Sequence, residues 1–194
     1  MKKFIFSLRK TSALFVLMLF SVLLFGCKPD AEPEVLPENV ERLAADDPLI
    51  QDWFDPNGQL WLITQNTFDN KYLDYSDIDN LFKEDGSYNF QDCYAGNNLC
   101  VLKLSETSGT FFMKYTRAAD SNWKYTTDSS KAPDIGKWYA VSYKNFNSTN
   151  KTIQFSGAWG TKSSCDTLQE AVEEFTIEHG YFAGYSDAVL YNGE

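Results

Sequence analysis

The stretch that decides the fold is KWYAVSYKNFNSTNKTIQFSGAW, residues 137–159. Its last eight residues, TIQFSGAW, alternate in character, with Ile153, Phe155 and Trp159 on one side of the chain. Its first eight residues, KWYAVSYK, alternate in the same way, and the polar NFNSTN between them is typical of a turn. Alternation with a period of two is the pattern of a β-strand. The stretch therefore predicts two antiparallel neighbours.

Further short strands are predicted on both sides of this pair. A Ser-Gly dipeptide at 108–109 predicts a turn between two of them. The other predicted strands are residues 60–64, 99–104, 110–116, 181–185 and 188–191. Many short strands joined by turns favour a mainly β protein, either a small antiparallel β-barrel or a sandwich, with a lipocalin-like barrel as one form.

One short helix is predicted near the C-terminus. Thr167 and Glu170 are spaced as a capping box, in which each side chain accepts from a backbone N–H at the start of the helix. One apolar stripe follows at helical spacing, formed by Leu168, Ala171, Val172 and Phe175. We expect this stripe to pack on the sheet or to cover one end of a barrel.

The first 26 residues are typical of an export signal. A basic head of four Lys and Arg side chains precedes an apolar run at 13–25, which is shorter than the roughly 20 residues of a membrane span. The following LFGC, residues 24–27, resembles a bacterial lipobox, which implies cleavage before Cys27 and attachment of fatty acyl chains such as palmitate to that residue. The alternative is an ordinary signal peptide followed by an unrelated cysteine.

The lipobox implies a protein anchored to a membrane of the cell envelope, either at the outer membrane and cell surface or on a periplasmic leaflet. Residues 27–49 contain prolines and many acids, which predicts a tether, with one short helix possible near residues 40–45. Residues 50–194 are predicted to form a single β-rich domain.

The charge of the chain excludes some partners. Removing the four bases of the leader from the 17 Lys and Arg residues leaves 13 bases against 27 acids, a net charge of about −14. Such an acidic surface argues against nucleic acid binding. The sequence predicts neither the oligomeric state nor a particular partner.

Three cysteines follow the predicted cleavage site, Cys93, Cys100 and Cys165. The stretch CYAGNNLC resembles a hairpin with Gly96-Asn97 at its tip, which would place Cys93 opposite Cys100 in an oxidising compartment. The alternation of the neighbouring residues places the two cysteines on different faces, whereas paired residues of a hairpin share a face. A disulfide between them is therefore one of two open alternatives.

No catalytic or metal-binding motif stands out in the sequence. His179 is the only histidine and lies beside Gly180 at a predicted turn, which favours an exposed structural role. The acids between residues 69 and 85 do not have the spacing of a calcium loop, and three dispersed cysteines do not make a zinc site. We expect no cofactor and no enzymatic activity, and a hydrolase with two facing carboxylates is the remaining alternative.

Aromatic residues are the one excess, at 16% of the chain. On the alternation of the predicted strands, the outward candidates for contact with a partner are Trp138 and Phe146. The inward candidates for lining a ligand cavity are Tyr139, Tyr143, Phe155 and Trp159. The first pair suits a module that contacts an envelope or host protein, and the second set suits a lipocalin-like carrier of a small apolar ligand. An enclosed cavity of several hundred Å³ would favour the carrier, and a packed centre would argue against it.

Three motifs support a resemblance to a known group of proteins. They are GKWY at 136–139, TLQEA at 167–171 followed by FT at 175–176, and GYFAGYS at 180–186. Together they resemble a family of uncharacterised treponemal lipoproteins, over roughly residues 53–187. The resemblance implies a surface or periplasmic lipoprotein and brings no catalytic residues with it.

Overall fold

Ten β-strands and one α-helix make up the part of the chain that the computed structural model describes, residues 35–192. The strands are Val40–Glu41 (β1), Asp52–Phe54 (β2), Gln59–Ile63 (β3), Thr67–Tyr72 (β4), Gln91–Ser105 (β5), Ser108–Ala119 (β6), Tyr125–Thr126 (β7), Trp138–Asn147 (β8), Thr152–Gly157 (β9) and Ser186–Leu190 (β10). The helix, Leu168–Glu174, is α1, and Ile78–Asn80 is one turn of 3-10 helix.

Eight of the strands close into an antiparallel barrel. The order around it is β2-β3-β4-β5-β6-β8-β9-β10, and β10 pairs with β2 to complete the circle. Closure leaves no free edge between these eight strands. The mainly β prediction is confirmed, and of its two forms the barrel is the one observed.

The stretch that decided the fold forms β8 and β9 as predicted. The two strands are antiparallel neighbours, and Tyr143 pairs with Phe155 in their register. Because both side chains point into the barrel, their rings join one core with Phe111 on the next strand, β6. The turn predicted at Ser108-Gly109 lies two residues earlier, at residues 106–107, because β5 ends at Ser105 and β6 already begins at Ser108.

The folded unit begins at Leu36, so the predicted domain boundary at residue 50 was wrong. Residues 36–49, which we call the N-terminal segment, were expected to be part of a mobile tether. Instead Leu43 and Leu49 are buried, β1 pairs with the second half of β5, and the Arg42 guanidinium donates to the carbonyl of Leu99 at 3.0 Å. The short helix considered near residues 40–45 does not form, since Val40–Glu41 is β1 and no helix follows it in this segment, and Leu43 and Leu49 belong to the hydrophobic core. Residues 27–34 of the predicted tether lie outside the described residues.

β5 runs without a turn through Gly96-Asn97, so the predicted hairpin and the disulfide between Cys93 and Cys100 were both wrong. The two cysteines stand seven positions apart on one extended strand, about 23 Å at 3.3 Å per residue. Gly96 serves a close approach of strands instead of a turn, because a Cβ there would lie 2.6 Å from the Met113 side chain on β6. Asn98, with φ of 55°, marks a bulge that keeps the long strand curved around the barrel.

α1 forms as the capping box predicts, with one change of partner. The Thr167 hydroxyl accepts from the backbone N–H of Glu170 at 3.2 Å, whereas the Glu170 carboxylate accepts from the N–H of Asp166. Leu168 and Phe175 are buried, and α1 packs against β8 and β6. The Phe175 ring stands edge-on to that of Tyr139 at 6.2 Å, so the stripe packs on the sheet, as one of the two alternatives predicted.

The predicted strand at residues 181–185 was wrong, since the last barrel strand is β10. Tyr181 and Phe182 are both buried although they are consecutive, so this segment does not alternate between two faces. It lies across the outer wall, where the Tyr181 carbonyl accepts from the N–H of Trp159 at 2.9 Å and Tyr185 shares a hydrogen bond with Ser142 at 2.8 Å.

The middle of the barrel is packed with aromatic rings. The ring of Phe155 lies 4.8 Å from that of Trp61 and within 6.5 Å of those of Trp53, Phe68 and Phe111, centroid to centroid. Edge-to-face and tilted contacts at these distances are favourable aromatic geometries. An enclosed central cavity, as in a deep lipocalin-like carrier, is therefore not what this barrel contains.

Candidate ligand-binding pocket

An open pocket lies at the end of the barrel where β5 and β8 begin and β6 and β9 finish. Its volume is about 610 Å³, within the range of small-molecule sites. Its aromatic lining, from which we name it the aromatic pocket, is formed by Tyr94, Tyr115, Trp123, Tyr125, Tyr139 and Trp159. The inner part of the barrel ends where this pocket begins.

Three tyrosines form the floor of the aromatic pocket. The rings of Tyr115 and Tyr139 are stacked at 4.8 Å, and the ring of Tyr94 stands edge-on to Tyr139 at 5.3 Å. The Tyr139 hydroxyl donates to the carbonyl of Ala158 at 3.0 Å. Burial raises the pKa of all three hydroxyls above the ordinary value for tyrosine, so they stay neutral at physiological pH.

Small residues make room beside these rings. A Cβ at Gly157 would lie 2.7 Å from the Tyr139 hydroxyl and 3.6 Å from the Tyr94 hydroxyl. Ala118 and Ala158 also line the pocket and add little volume. The space exists because the last positions of β6 and β9 carry small residues where the rest of the barrel carries rings.

Two tryptophans stand at the mouth. Trp123 and Trp159 stack on each other at 5.9 Å with an interplanar angle of 28°, and they are 72% and 75% exposed. Trp123 has a φ of 61°, which is unusual for a bulky residue. The tight turn that holds it is built by the Asp120 carboxylate, which accepts from the backbone N–H groups of Asn122 at 2.7 Å and Lys124 at 3.0 Å. The turn thus directs a large apolar ring towards solvent at the pocket.

The charged groups of the lining are mostly negative. Asp120 and Asp134 both line the pocket, and backbone N–H donors lower the pKa of the Asp120 carboxyl, so it is ionised. The Asp134 carboxylate accepts from the Ser164 hydroxyl at 2.7 Å. Lys162 is the one Lys or Arg among the described lining residues, and its ammonium forms an ion pair with Glu170 on α1.

Two of the four predicted ligand-lining residues line the aromatic pocket. Tyr139 belongs to the floor and Trp159 to the mouth, although the alternation had placed Trp159 inside the barrel. Because β9 ends at Gly157, the inward pattern stops before it reaches Trp159. Tyr143 and Phe155 belong to the packed middle of the barrel.

The two predicted outward aromatics, Trp138 and Phe146, are both buried, at 1% and 9% exposure, so their prediction as exposed contacts was wrong. Trp138 does point outward, but residues 158–175 cover it, and its backbone exchanges two hydrogen bonds with Cys165 at 2.7 and 2.9 Å. Phe146 follows a bulge at Asn145, whose φ is 53°, and the bulge turns its ring inward onto Trp53 at 6.2 Å.

One of the two exposed rings at the mouth of the pocket, Trp123, was missed from sequence. Trp123 lies in a loop between two strands, where no periodicity assigns a face. The only local signal was the stretch Asp120-Ser-Asn122, which is rich in turn-forming residues. That signal predicts a turn but not the pocket that the turn borders.

Other predicted sites are placed as follows. Cys27 lies outside the described residues. His179 is exposed, with its Nδ1 atom 2.8 Å from the Glu174 carbonyl oxygen. Some of the acids between residues 69 and 85, with Asn80 and Asn89, border a polar hollow of about 250 Å³. Within residues 35–192 no group of three or more His, Cys, Asp or Glu side chains is arranged to hold a metal ion.

Comparison of the chain with known protein families, with curated proteins and with solved structures finds no match. Among the helices of residues 35–192, none has the length and apolar character that crossing a bilayer requires. The pocket itself is therefore the basis for a functional argument.

Proposed function

We propose that this protein is a lipid-anchored lipoprotein of the cell envelope whose barrel binds a small, partly apolar ligand in the aromatic pocket. The observation that carries the proposal is the contrast within the barrel: its middle is filled with rings, and one end leaves about 610 Å³ open between further rings. Side chains that fill the middle of the barrel stabilise the fold. In an open pocket lined by aromatic faces, a partly apolar ligand gains stability by leaving water.

The exposed tryptophans support the same proposal. Three of the five tryptophans are buried, and the two that are exposed stand together at this mouth. Exposing two indoles side by side costs solubility and burial energy, since each ring carries a large apolar area. A ligand that covers them would recover that energy.

The environment-sensitive dye N-phenyl-1-naphthylamine tests the binding function. We expect its fluorescence to rise on addition of the soluble domain, residues 36–194, with energy transfer from tryptophan. The double variant Trp123→Ala, Trp159→Ala should weaken dye binding about tenfold, because stacking on aromatic rings contributes about 1 kcal/mol or more for each ring.

A matched control keeps the interpretation specific. Phe82 is 53% exposed, stacks on Tyr88 and lies outside the pocket lining. Phe82→Ala should leave dye binding unchanged. Equal binding by the wild type and the double tryptophan variant would contradict a site in the aromatic pocket.

The lipid anchor is tested at Cys27. A Cys27→Ser variant should move from the detergent phase to the aqueous phase of a Triton X-114 partition, because several acyl chains contribute about 0.8 kcal/mol for each buried CH₂ group. Cys93→Ser, which removes a buried cysteine of β5, is the matched control and should remain with the detergent. A wild-type protein found in the aqueous phase would contradict the anchor.

A contact with an envelope or host protein is the second candidate, and the outward faces of Trp123 and Trp159 favour it. Exposed tryptophan is enriched in the centres of protein interfaces. If a partner protein binds here, wild-type domain coupled to beads should retain it, the double tryptophan variant should not, and the dye should compete with it.

A further inference from the structure

We propose that the aromatic pocket selects ligands that carry an alkylammonium group, so that the physiological ligand is an organic cation. This inference rests on the proposed ligand-binding function and adds the chemical class of the ligand. It joins two independent observations on the same lining, the number of aromatic rings and the sign of the charges.

The rings come from several elements and surround the pocket on more than one side. Tyr94 lies on β5 and Tyr115 on β6, while Tyr125 starts β7 and Tyr139 lies on β8. Trp123 and Trp159 add two indoles at the mouth. The face of an aromatic ring is negative, and indole attracts a cation most strongly. Tyr115 stacks on Tyr139 and Trp123 on Trp159, which leaves one face of each ring outside its stack. An alkylammonium group against such a face gains electrostatic attraction as well as apolar contact.

The tyrosines reinforce this preference. Burial raises the pKa of Tyr125 as well as those of the floor tyrosines, and the Tyr125 hydroxyl interacts with the Cys93 thiol. The hydroxyls therefore stay neutral and offer oxygen lone pairs to a polar head group. An anion placed among the same rings would face their negative faces.

Two carboxylates make the charge of the pocket lining mostly negative. Asp120 lies at the turn that carries Trp123, and Asp134 lies just before β8, so the two acids approach the pocket from different loops. Lys162, the one lysine or arginine of the described lining, is engaged by Glu170. A cationic ligand would meet these two carboxylates, whereas an anionic ligand would have to break the ion pair of Lys162 to find a basic partner within the lining.

Choline and its uncharged isostere 3,3-dimethylbutan-1-ol are the probe pair, since they differ only in a nitrogen for a carbon. Chemical-shift titration of the ¹⁵N-labelled domain, residues 36–194, would measure both. We expect choline to bind about tenfold more tightly than the isostere, the ratio that one desolvated cation–π contact supplies. Equal affinities, or tighter binding of the alcohol, would overturn the inference.

Asparagine variants separate charge from shape. Asp120→Asn and Asp134→Asn should each weaken choline binding about threefold or more and leave binding of the alcohol unchanged. Asp128→Asn is the matched control: Asp128 caps the same kind of turn, accepting from the N–H of Ser130 at 3.0 Å, but lies outside the pocket lining, so choline binding should not change. If the aspartate variants bind choline as the wild type does, the carboxylates play no part and the inference fails.

The two proposals fail in different ways. If the naphthylamine dye binds and the tryptophan variants weaken it, while choline does not bind better than its isostere, the pocket binds ligands but does not select cations. If neither the dye nor choline binds, the ligand-binding function itself is contradicted.

Discussion

Aromatic rings are covered at one end of the barrel and border an open pocket at the other. At one end the N-terminal segment covers the barrel: Leu49 is buried and its carbonyl accepts from the Trp53 indole N–H at 3.2 Å, and Phe146 packs on the same indole. We call this the closed end. At the other end the rings of Tyr139 and Trp159 border the open aromatic pocket. The difference lies in what covers the rings at each end.

At the closed end, ion pairs hold the N-terminal segment against the barrel. Lys103 on β5 pairs with Glu41 at 2.8 Å and Asp47 at 2.9 Å, so two acids of the N-terminal segment are held against the wall while Leu43 and Leu49 are buried. At the pocket end, the segment that follows β9 borders the mouth through Trp159, Gly160 and Lys162 without closing it. A loop that could have completed the core instead borders a site.

The largest effect is expected at high pH, at the buried tyrosines of the packed middle and of the pocket floor. Burial raises the pKa of Tyr143, in the packed middle, to about 12, and raises those of the floor tyrosines Tyr94, Tyr115 and Tyr139. A folded-state pKa above the unfolded value of about 10 leaves stability complete below pH 10 and removes it as the pH rises beyond. Each such group lowers the free energy of unfolding by about 1.4 kcal/mol for each pH unit above 10.

Urea unfolding between pH 9 and pH 11, followed with tyrosinate absorbance at 295 nm, would measure this loss. Tyr139→Phe should reduce the pH dependence relative to the wild type, because it removes a floor hydroxyl whose pKa burial raises. The Glu41 carboxylate raises the pKa of Lys103 in both proteins, so the comparison of variant with wild type isolates the pocket floor. Titration of all tyrosines near pH 10 in a fully folded protein would contradict the buried floor.

The next largest effect is expected in the packed middle. Phe155→Ala removes a ring that touches four others, and the cavity it leaves should cost about 3–5 kcal/mol in the free energy of unfolding. Trp159→Ala, at the open end, should change it by about 0.5 kcal/mol or less, since the ring is 75% exposed. Similar losses for both variants in urea melts would mean that the two regions are packed alike.

A smaller effect tests whether the N-terminal segment belongs to the domain. Leu43 is 1% exposed, and Leu43→Ala should cost about 2–4 kcal/mol, because the leucine fills space over the closed end. Leu104→Ala is the control, at a leucine of β5 that is 55% exposed, and should cost little. A thermal melt in which Leu43→Ala has no effect would restore the tether as the sequence predicted it.

Much of the fold could be predicted from period-two patterns, because the inward Ile153 and Phe155 of β9 are buried while Thr152 and Gln154 between them are only partly so. The first six residues of β8 are all buried, but their alternation still marks a strand. The helix was readable for a similar reason, since Thr167 and the apolar stripe are local signals. The pocket could not be predicted, because it depends on the positions at which the strand patterns end. β9 ends before Trp159, and a bulge at Asn145 turns the ring of Phe146 inward. Trp123 lies in a turn between two strands. Each of these is set by contacts between segments distant in the chain.

The most direct test of the account is to map bound ligand onto the two ends. A ¹H–¹⁵N correlation spectrum of the domain, residues 36–194, titrated with N-phenyl-1-naphthylamine should shift the backbone amides of Ala119, Gly157 and Gly160, which line the aromatic pocket. The amides of Leu43 and Leu49 at the closed end should not move. Shifts confined to the closed end, or none at saturating dye, would contradict a ligand site at the open end of the barrel.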